Sequence, residues 1–225
     1  MEPSIVLLSG GLDSAVCLAM ARRESRTIIA LSFEYGQRHA HELACAARLA
    51  ASAGAEHLVL GLSPRLFRGS ALVDGGPLPA PTPGTIPATY VPARNTLLLA
   101  HALALAESRG ARDVWIGVNA VDYGGYPDCR PEFVEAFARL IAVGTRAGVE
   151  GAPVRLRTPL LRMSKGEIVR RGVALGVDFA QTSTCYDPRA GDGAACAACD
   201  ASHQRATGFA AAGVVDPRPR VGSAP

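Results

Sequence analysis

Ser9-Gly10-Gly11-Leu12-Asp13-Ser14 stands between a short apolar run, Ser4-Ile5-Val6-Leu7-Leu8, and a stretch with apolar residues at Leu12, Ala15, Val16, Ala19 and Met20. The run has the character of a buried parallel strand, and the stretch after it has the period of a helix. Small residues at such a junction suit an anion. Glycines bend the backbone without a Cβ clash, and the N–H groups that open a helix face negative charge with the dipole behind them. Leu8, Ser9, Gly10, Gly11, Leu12, Asp13 and Ser14 are therefore the candidate phosphate-binding residues. Ser9 and Ser14 add hydroxyl donors, and Asp13 offers a carboxylate that could hold Mg²⁺ against phosphates. The plain alternative is a Gly-Gly turn with Asp or Ser capping a helix. No Gly-Lys-Ser/Thr follows the glycines and no G-x-G-x-x-G is present, so neither a Walker loop nor a dinucleotide fingerprint applies.

A single lysine adds to this. Of 23 basic side chains 22 are Arg, and the one Lys, Lys165, opens a helix marked by the Ser164-x-x-Glu167 capping box. Arg94, Arg38 and Lys165 are candidate clamps for phosphate or carboxylate, the guanidinium as a planar fork and the ammonium as a point charge. The competing reading of Lys165 is a solvent-exposed surface lysine.

The elements that must position these groups alternate. Strands are expected at Ser4–Leu8, Thr27–Phe33, His57–Leu62, Val114–Val118 and Arg155–Leu160. Helices are expected after Gly11, at His39–Ala53, at Asn95–Arg109, from Pro131 and from Ser164. This pattern predicts an α/β fold: a doubly wound, mostly parallel sheet with ligands beyond the carboxyl ends of the strands. Residues 1–215 read as one domain that includes a Cys-rich segment, 185–205, and residues 216–225 as a loose tail. Ser63 to Ala93 breaks the alternation with seven prolines, a functional or mobile loop.

The chain has 225 residues, 48% hydrophobic and 19% charged, which excludes low-hydrophobicity disorder. A net charge of +3 is too weak to indicate nucleic-acid binding. No apolar run reaches a membrane span and no signal peptide is evident, so a soluble, cytoplasmic protein is expected.

The Ser9–Ser14 turn is similar to the pyrophosphate loop of ATP pyrophosphatases. With Phe33-Glu34-Tyr35-Gly36-Gln37-Arg38-His39, Tyr90-Val91-Pro92-Ala93-Arg94-Asn95, Gly125-Tyr126-Pro127-Asp128-Cys129-Arg130 and Thr158-Pro159-Leu160, in this order, the chain resembles the 7-cyano-7-deazaguanine synthase family from Ser4 to about Phe209. The resemblance implies an adenine nucleotide alpha hydrolase-like fold and a carbon–nitrogen ligase of queuosine biosynthesis. Such an enzyme uses ATP and Mg²⁺ to adenylate 7-carboxy-7-deazaguanine, admits ammonia to form an amide, then activates and dehydrates that amide to the nitrile. It implies catalytic roles for Asp13, Lys165 and Arg94, and substrate contacts from Tyr35, Arg38, Asn95, Asp122, Tyr126 and Asp128. A homodimer is implied too. Tyr123 or Tyr126 could stack on the base, against core packing as the bland reading. Asp128 has a rival role as cap of the helix near Pro131. His39 and His41 receive no catalytic step, and Cys129 reads as a small buried hydrophobe.

Cys196-x₂-Cys199 is half of a tetrahedral zinc site and Cys185 brings a third thiolate. The family carries a fourth Cys three residues before its Arg, and aligning on Arg205 puts Ser202 there. Three readings follow: Zn²⁺ on Cys185, Cys196, Cys199 and His203; Zn²⁺ on three protein ligands and a water near Ser202; or no metal, with free thiols or a labile Cys196–Cys199 pair. Competing functions are a ligase that stops at an amide with another amine, a tRNA thiolase of the same superfamily, and a non-enzymatic nucleotide sensor.

Overall fold

Among the described residues five strands form one sheet in the order β3-β2-β1-β4-β5, and every neighbouring pair is parallel. The computed structural model describes residues 2–37, 41–75, 85–119, 125–186, 195–196 and 199–218. The strands are β1 (Ser4–Leu7), β2 (Ile28–Glu34), β3 (Glu56–Gly61), β4 (Asp113–Trp115) and β5 (Arg155–Arg157). The helices are α1 (Leu12–Glu24), α2 (His41–Ser52), α3 (Arg94–Arg109), α4 (Pro131–Gly144), α5 (Arg146–Val149), α6 (Lys165–Ala174) and α7 (Asp200–Ala212).

Both faces of the sheet are covered, as its apolar strands require. Along β1 the side chains alternate. Ile5 and Leu7 join the core that includes Leu99, Leu103, Phe137 and Ile141 of α3 and α4. Val6, with Leu8 just past the strand, joins the core that includes Leu12, Val16, Leu49, Ile168 and Phe209 of α1, α2, α6 and α7. The chain winds outward from β1 to β3, then returns through α3 to place β4 on the other side of β1. That reversal makes the switch point where ligands bind in such sheets. The expected doubly wound parallel architecture is the one found.

Several local expectations need correction. β4 and β5 are shorter than expected, because after Arg157 the chain enters turns in which Leu161 donates to Thr158 O and Met163 to Leu160 O. The Cys-rich segment runs into a full helix, α7, which ends where Gly213 adopts φ +71 and donates to Ala210 O. Of the proline-rich loop, the described parts are anchored by Phe67 and Leu72, both buried. Residues 76–84 lie outside the described residues. The tail does not loosen at 216, since Asp216 is ion-paired to Arg205 at 2.8 Å and Arg218 donates to Thr182 O at 2.7 Å. Residues 219–225 lie outside the described residues.

Candidate active site

A cavity opens over the carboxyl ends of β1, β2 and β4, at the switch point. Its floor is the Ser9–Ser14 turn. The helix-capping reading of that turn fails: the N-cap of α1 is Gly11, which makes no side-chain cap bond. The first intrahelical bond is Ala15 N–H to Gly11 O, so the N–H groups of Leu12, Asp13 and Ser14 have no acceptor within the helix. Ser14 and Ser9 instead brace the bend, with Ser14 Oγ accepting from Gly10 N at 3.2 Å and Ser9 Oγ from Gly11 N at 3.1 Å.

The two glycines do different work. Gly11 lines the cavity, whereas Gly10 does not. Gly10 has φ +92, and a Cβ there would stand 2.1 Å from Glu42 O of α2. It is glycine so that the turn can press against the first turn of α2. Opposite, Ser183 N–H donates to Gly10 O at 2.9 Å and ties the turn to a distant part of the chain.

Asp13 and Lys165 meet: Nζ lies 2.6 Å from Oδ2, with side chains 12% and 22% exposed for Lys165 and Asp13. The surface-lysine reading is overturned by that burial. Two close approaches set the lysine's position. A Cβ on Gly208 of α7 would meet Lys165 Cβ at 2.9 Å, and one on Gly166 would meet Ala211 Cβ at 3.0 Å. The predicted capping box is present, with Glu167 accepting from Ser164 N at 2.8 Å. A third approach brings β4 in, since a Cβ on Gly117 would lie 3.2 Å from Asp13 C. Asn119, fully buried just beyond, reaches Asp13 Oδ2 at 3.4 Å. Asp13 Oδ1 is buried with no hydrogen-bond partner among the described residues.

Across the cavity, Arg94 at the start of α3 hydrogen-bonds the Tyr35 hydroxyl, whose pKa is raised by burial against the lowering pull of that arginine. Tyr126 lines the cavity and shares a 2.8 Å hydrogen bond with Thr89. Asn95 also lines it, with Nδ2 donating to Asp128 O at 2.9 Å. Asp128 is a correction. It is 6% exposed and absent from the cavity lining, and its Oδ2 accepts from the Asn95 backbone N–H at 2.9 Å. It caps α3 and does not cap α4. Cys129 is the buried small side chain expected, in contact with Asn95 Nδ2. Arg38, His39, Asp122 and Tyr123 lie outside the described residues. His41 is held at 3.1 Å from Arg218 Nη2.

Cys185, Cys196 and Cys199 offer sulfurs within 4.8 Å of one another. Their sulfurs collect backbone donors: Cys196 N reaches Cys185 Sγ at 3.2 Å and Cys199 N reaches Cys196 Sγ at 3.3 Å. The Cys199 thiol is pushed down to about 4, chiefly by its contact with Cys185, against burial and with help from Ser202. That is the thiolate a metal requires. His203 is not part of the group: it is exposed on α7, while Ser202 is buried with Oγ 3.1 Å from Cys199 Sγ.

Glu42, Thr184, Tyr186, Ala201 and Gln204 also line the cavity and were not singled out from the sequence. Four of them flank the cysteines: Thr184 and Tyr186 on either side of Cys185, Ala201 and Gln204 just after Cys199. The cysteine trio is thus the outer seam of one cavity wall.

The profile of the family described as queuosine biosynthesis protein QueC matches residues 3–213. This chain belongs to that family. Among individual relatives, the 7-cyano-7-deazaguanine synthase of Thiobacillus denitrificans is 60% identical over 220 residues, covering 96% of this chain and 98% of that protein. The 7-cyano-7-deazaguanine synthase of Ectopseudomonas mendocina is 56% identical over 217 residues, 96% of each chain. That of Paramagnetospirillum magneticum is 52% identical over 223 residues, covering 96% of this chain and 98% of that protein. A fainter likeness is to the NMN synthetase of Francisella tularensis, at a TM-score of 0.49 and 18% identity over 83% of this chain and 67% of that one. No helix among the described residues is long and apolar enough to cross a membrane.

Proposed function

We propose that this chain is an ATP-dependent carbon–nitrogen ligase that turns 7-carboxy-7-deazaguanine and ammonia into 7-cyano-7-deazaguanine. The observation that carries the chemistry is the convergence, at one switch-point cavity, of the uncapped start of α1, the Asp13–Lys165 pair and Arg94. The nature of the acid follows from the relatives' shared name, which does not favour the amide-stopping ligase or the thiolase.

A carboxylate is inert to ammonia because its leaving group would be oxide. Joining it to AMP supplies a good leaving group, and the protein must then neutralise pyrophosphate and fix the angle of attack. The free N–H groups of α1 bind the α-phosphate side of ATP. Lys165 and Arg94 bring positive charge to the departing pyrophosphate and the acid. Tyr35 and Tyr126, both lining the cavity, take the base, together with Asn95, which is held by Asp128 and Cys129. After ammonia attacks, the amide oxygen is activated in the same way and lost, leaving the nitrile. Arg38 and Asp122 keep the substrate contacts assigned from the resemblance.

Mg²⁺ fits Asp13, because its buried Oδ1 lacks a partner among the described residues and a carboxylate oxygen is the donor that ion prefers. The ion would supply charge to the phosphates. Zn²⁺ fits the three cysteines, with Ser202 at the fourth corner as ligand or as neighbour of a bound water. Its place at the seam makes it a support for the Tyr186–Gln204 wall. Purified without chelator, the protein is expected to hold about one zinc per chain. The His203→Ala variant is expected to match it, and Cys199→Ala to lose it. Loss of zinc with His203→Ala would restore the imidazole reading.

The reading includes a homodimer, for which the exposed Leu140 and Val143 of α4 and Val149 of α5 offer apolar surface, a cytoplasmic location and no nucleic-acid partner. The deciding experiment supplies ATP, Mg²⁺, ammonium and 7-carboxy-7-deazaguanine, then weighs the products. Nitrile with AMP and pyrophosphate is expected. An amide alone would overturn the nitrile, and no AMP would overturn the ligase.

A further inference from the structure

The Gly10 bend is gripped from two sides. On one, α2 lies so close that a Cβ on Gly10 would stand 2.1 Å from Glu42 O and 2.8 Å from Ala46 N. On the other, Ser183 N–H donates to Gly10 O at 2.9 Å. One side chain reaches both of these segments. Arg218 Nη1 donates to Thr182 O, next to Ser183, at 2.7 Å. Its Nη2 lies 3.1 Å from His41 Nε2, next to Glu42. A guanidinium has only donors, so His41 Nε2 is the acceptor and carries no proton there. The two bonds leave from different nitrogens of one rigid plane, which sets the spacing of their acceptors.

The placement of Arg218 is itself prepared. Asp216 Oδ1 accepts from the Arg218 backbone N–H at 3.1 Å, and Asp216 is forked by Arg205 of α7. Pro217 has its φ fixed by its ring and Pro219 steers Arg218 away from helical backbone, so little freedom remains around the arginine. Thr182 is therefore held twice, at its hydroxyl by Arg205 and at its carbonyl by Arg218.

We propose that Arg218 is a positioning residue of the adenylation step, bridging the two segments that grip Gly10 so that the N–H groups of the phosphate turn stay aimed at one point. The assignment rests on the ligase reading above, in which that turn holds ATP. Arg218 does not line the cavity, so it acts through the backbone it joins. Donors stabilise phosphate best when their directions are set beforehand, and a small displacement spreads them. Without the bridge, α2 and the segment at Thr182 are free to shift apart, and part of the binding free energy of the triphosphate goes into ordering the turn.

Binding of α,β-methylene ATP with Mg²⁺, measured by calorimetry on the full chain, reads the effect before any chemistry. Arg218→Ala is expected to weaken that binding about tenfold, while the KM for 7-carboxy-7-deazaguanine stays within about twofold of the parent. Its melting temperature should stay within about 4 °C of the parent. His41→Ala should weaken binding in the same sense. The double variant should bind no worse than Arg218→Ala alone, because either substitution already breaks the bridge. Arg218→Lys should regain only part of the affinity, since a single ammonium cannot reproduce the planar fork. Parental affinity in Arg218→Ala or in Arg218→Lys would overturn the proposal, as would additive losses in the double variant. So would a parallel rise in both substrate constants with a large fall in melting temperature, the mark of a prop for the whole fold. A parent protein that does not bind the analogue would take down the nucleotide reading of the turn first, and this assignment with it.

Discussion

Lys165→Ala is expected to lower pyrophosphate release about 10²–10³-fold in a single turnover with saturating ATP, the loss that follows when one preorganised charge is removed from a transition state. The lysine is the chain's only one, and its side chain is 12% exposed with the ammonium seated on Asp13. Removing it takes a cation from the departing phosphates and also leaves the Asp13 carboxylate facing them unneutralised. Both effects act on the charged transition state more than on bound ATP, so kcat falls further than KM rises. Lys165→Arg is not expected to rescue it. A guanidinium is wider and planar, and the stem is fixed where Gly208 of α7 closes over Lys165 Cβ. Turnover of Lys165→Ala within a few-fold of the parent would remove the residue from the machinery.

The second large effect is on stability. Arg205 is 4% exposed at its side chain, forked onto Asp216 by two 2.8 Å bonds. It also donates to Thr182 Oγ1 at 2.7 Å and Phe179 O at 3.1 Å, and lies 5.1 Å from the Phe209 ring centre. Arg205→Ala strands the Asp216 charge in a nearly dry site and is expected to cost about 3–5 kcal/mol. For a chain of this length that is a fall in melting temperature on the order of 6–20 °C. The double variant Arg205→Leu with Asp216→Leu should regain much of the loss, because neither charge is then left alone. Equal melting temperatures for the parent and Arg205→Ala would show that Asp216 is hydrated in solution.

What could be read from the sequence divides along a physical line. The Ser9–Ser14 turn, the alternating elements and the Ser164–Glu167 box were legible because each is local: a few adjacent residues carry the whole cause. Asp128 was misread because its partner is the Asn95 backbone, 33 positions earlier, and no local pattern tells a cap for α3 from one for α4. Glu42 was overlooked for a different reason. An acid in the first turn of an amphipathic helix already has a sufficient local explanation in the helix dipole. His203 was favoured on ligand chemistry alone, yet on α7 it is the neighbour, Ser202, that occupies the buried position beside Cys199. The tail from Asp216 looked loose because its anchor, Arg205, had been read only as a family landmark.

The bond from Ser183 to Gly10, and the reach of Lys165 across 152 positions to Asp13, bind the opening bend to parts of the polypeptide made much later. During synthesis the first strand and helix leave the ribosome long before their counterparts exist. Until α6 and α7 emerge and dock, the nascent polypeptide has neither the cation nor the second wall of the pocket, so the cavity is complete only once α7 has been made.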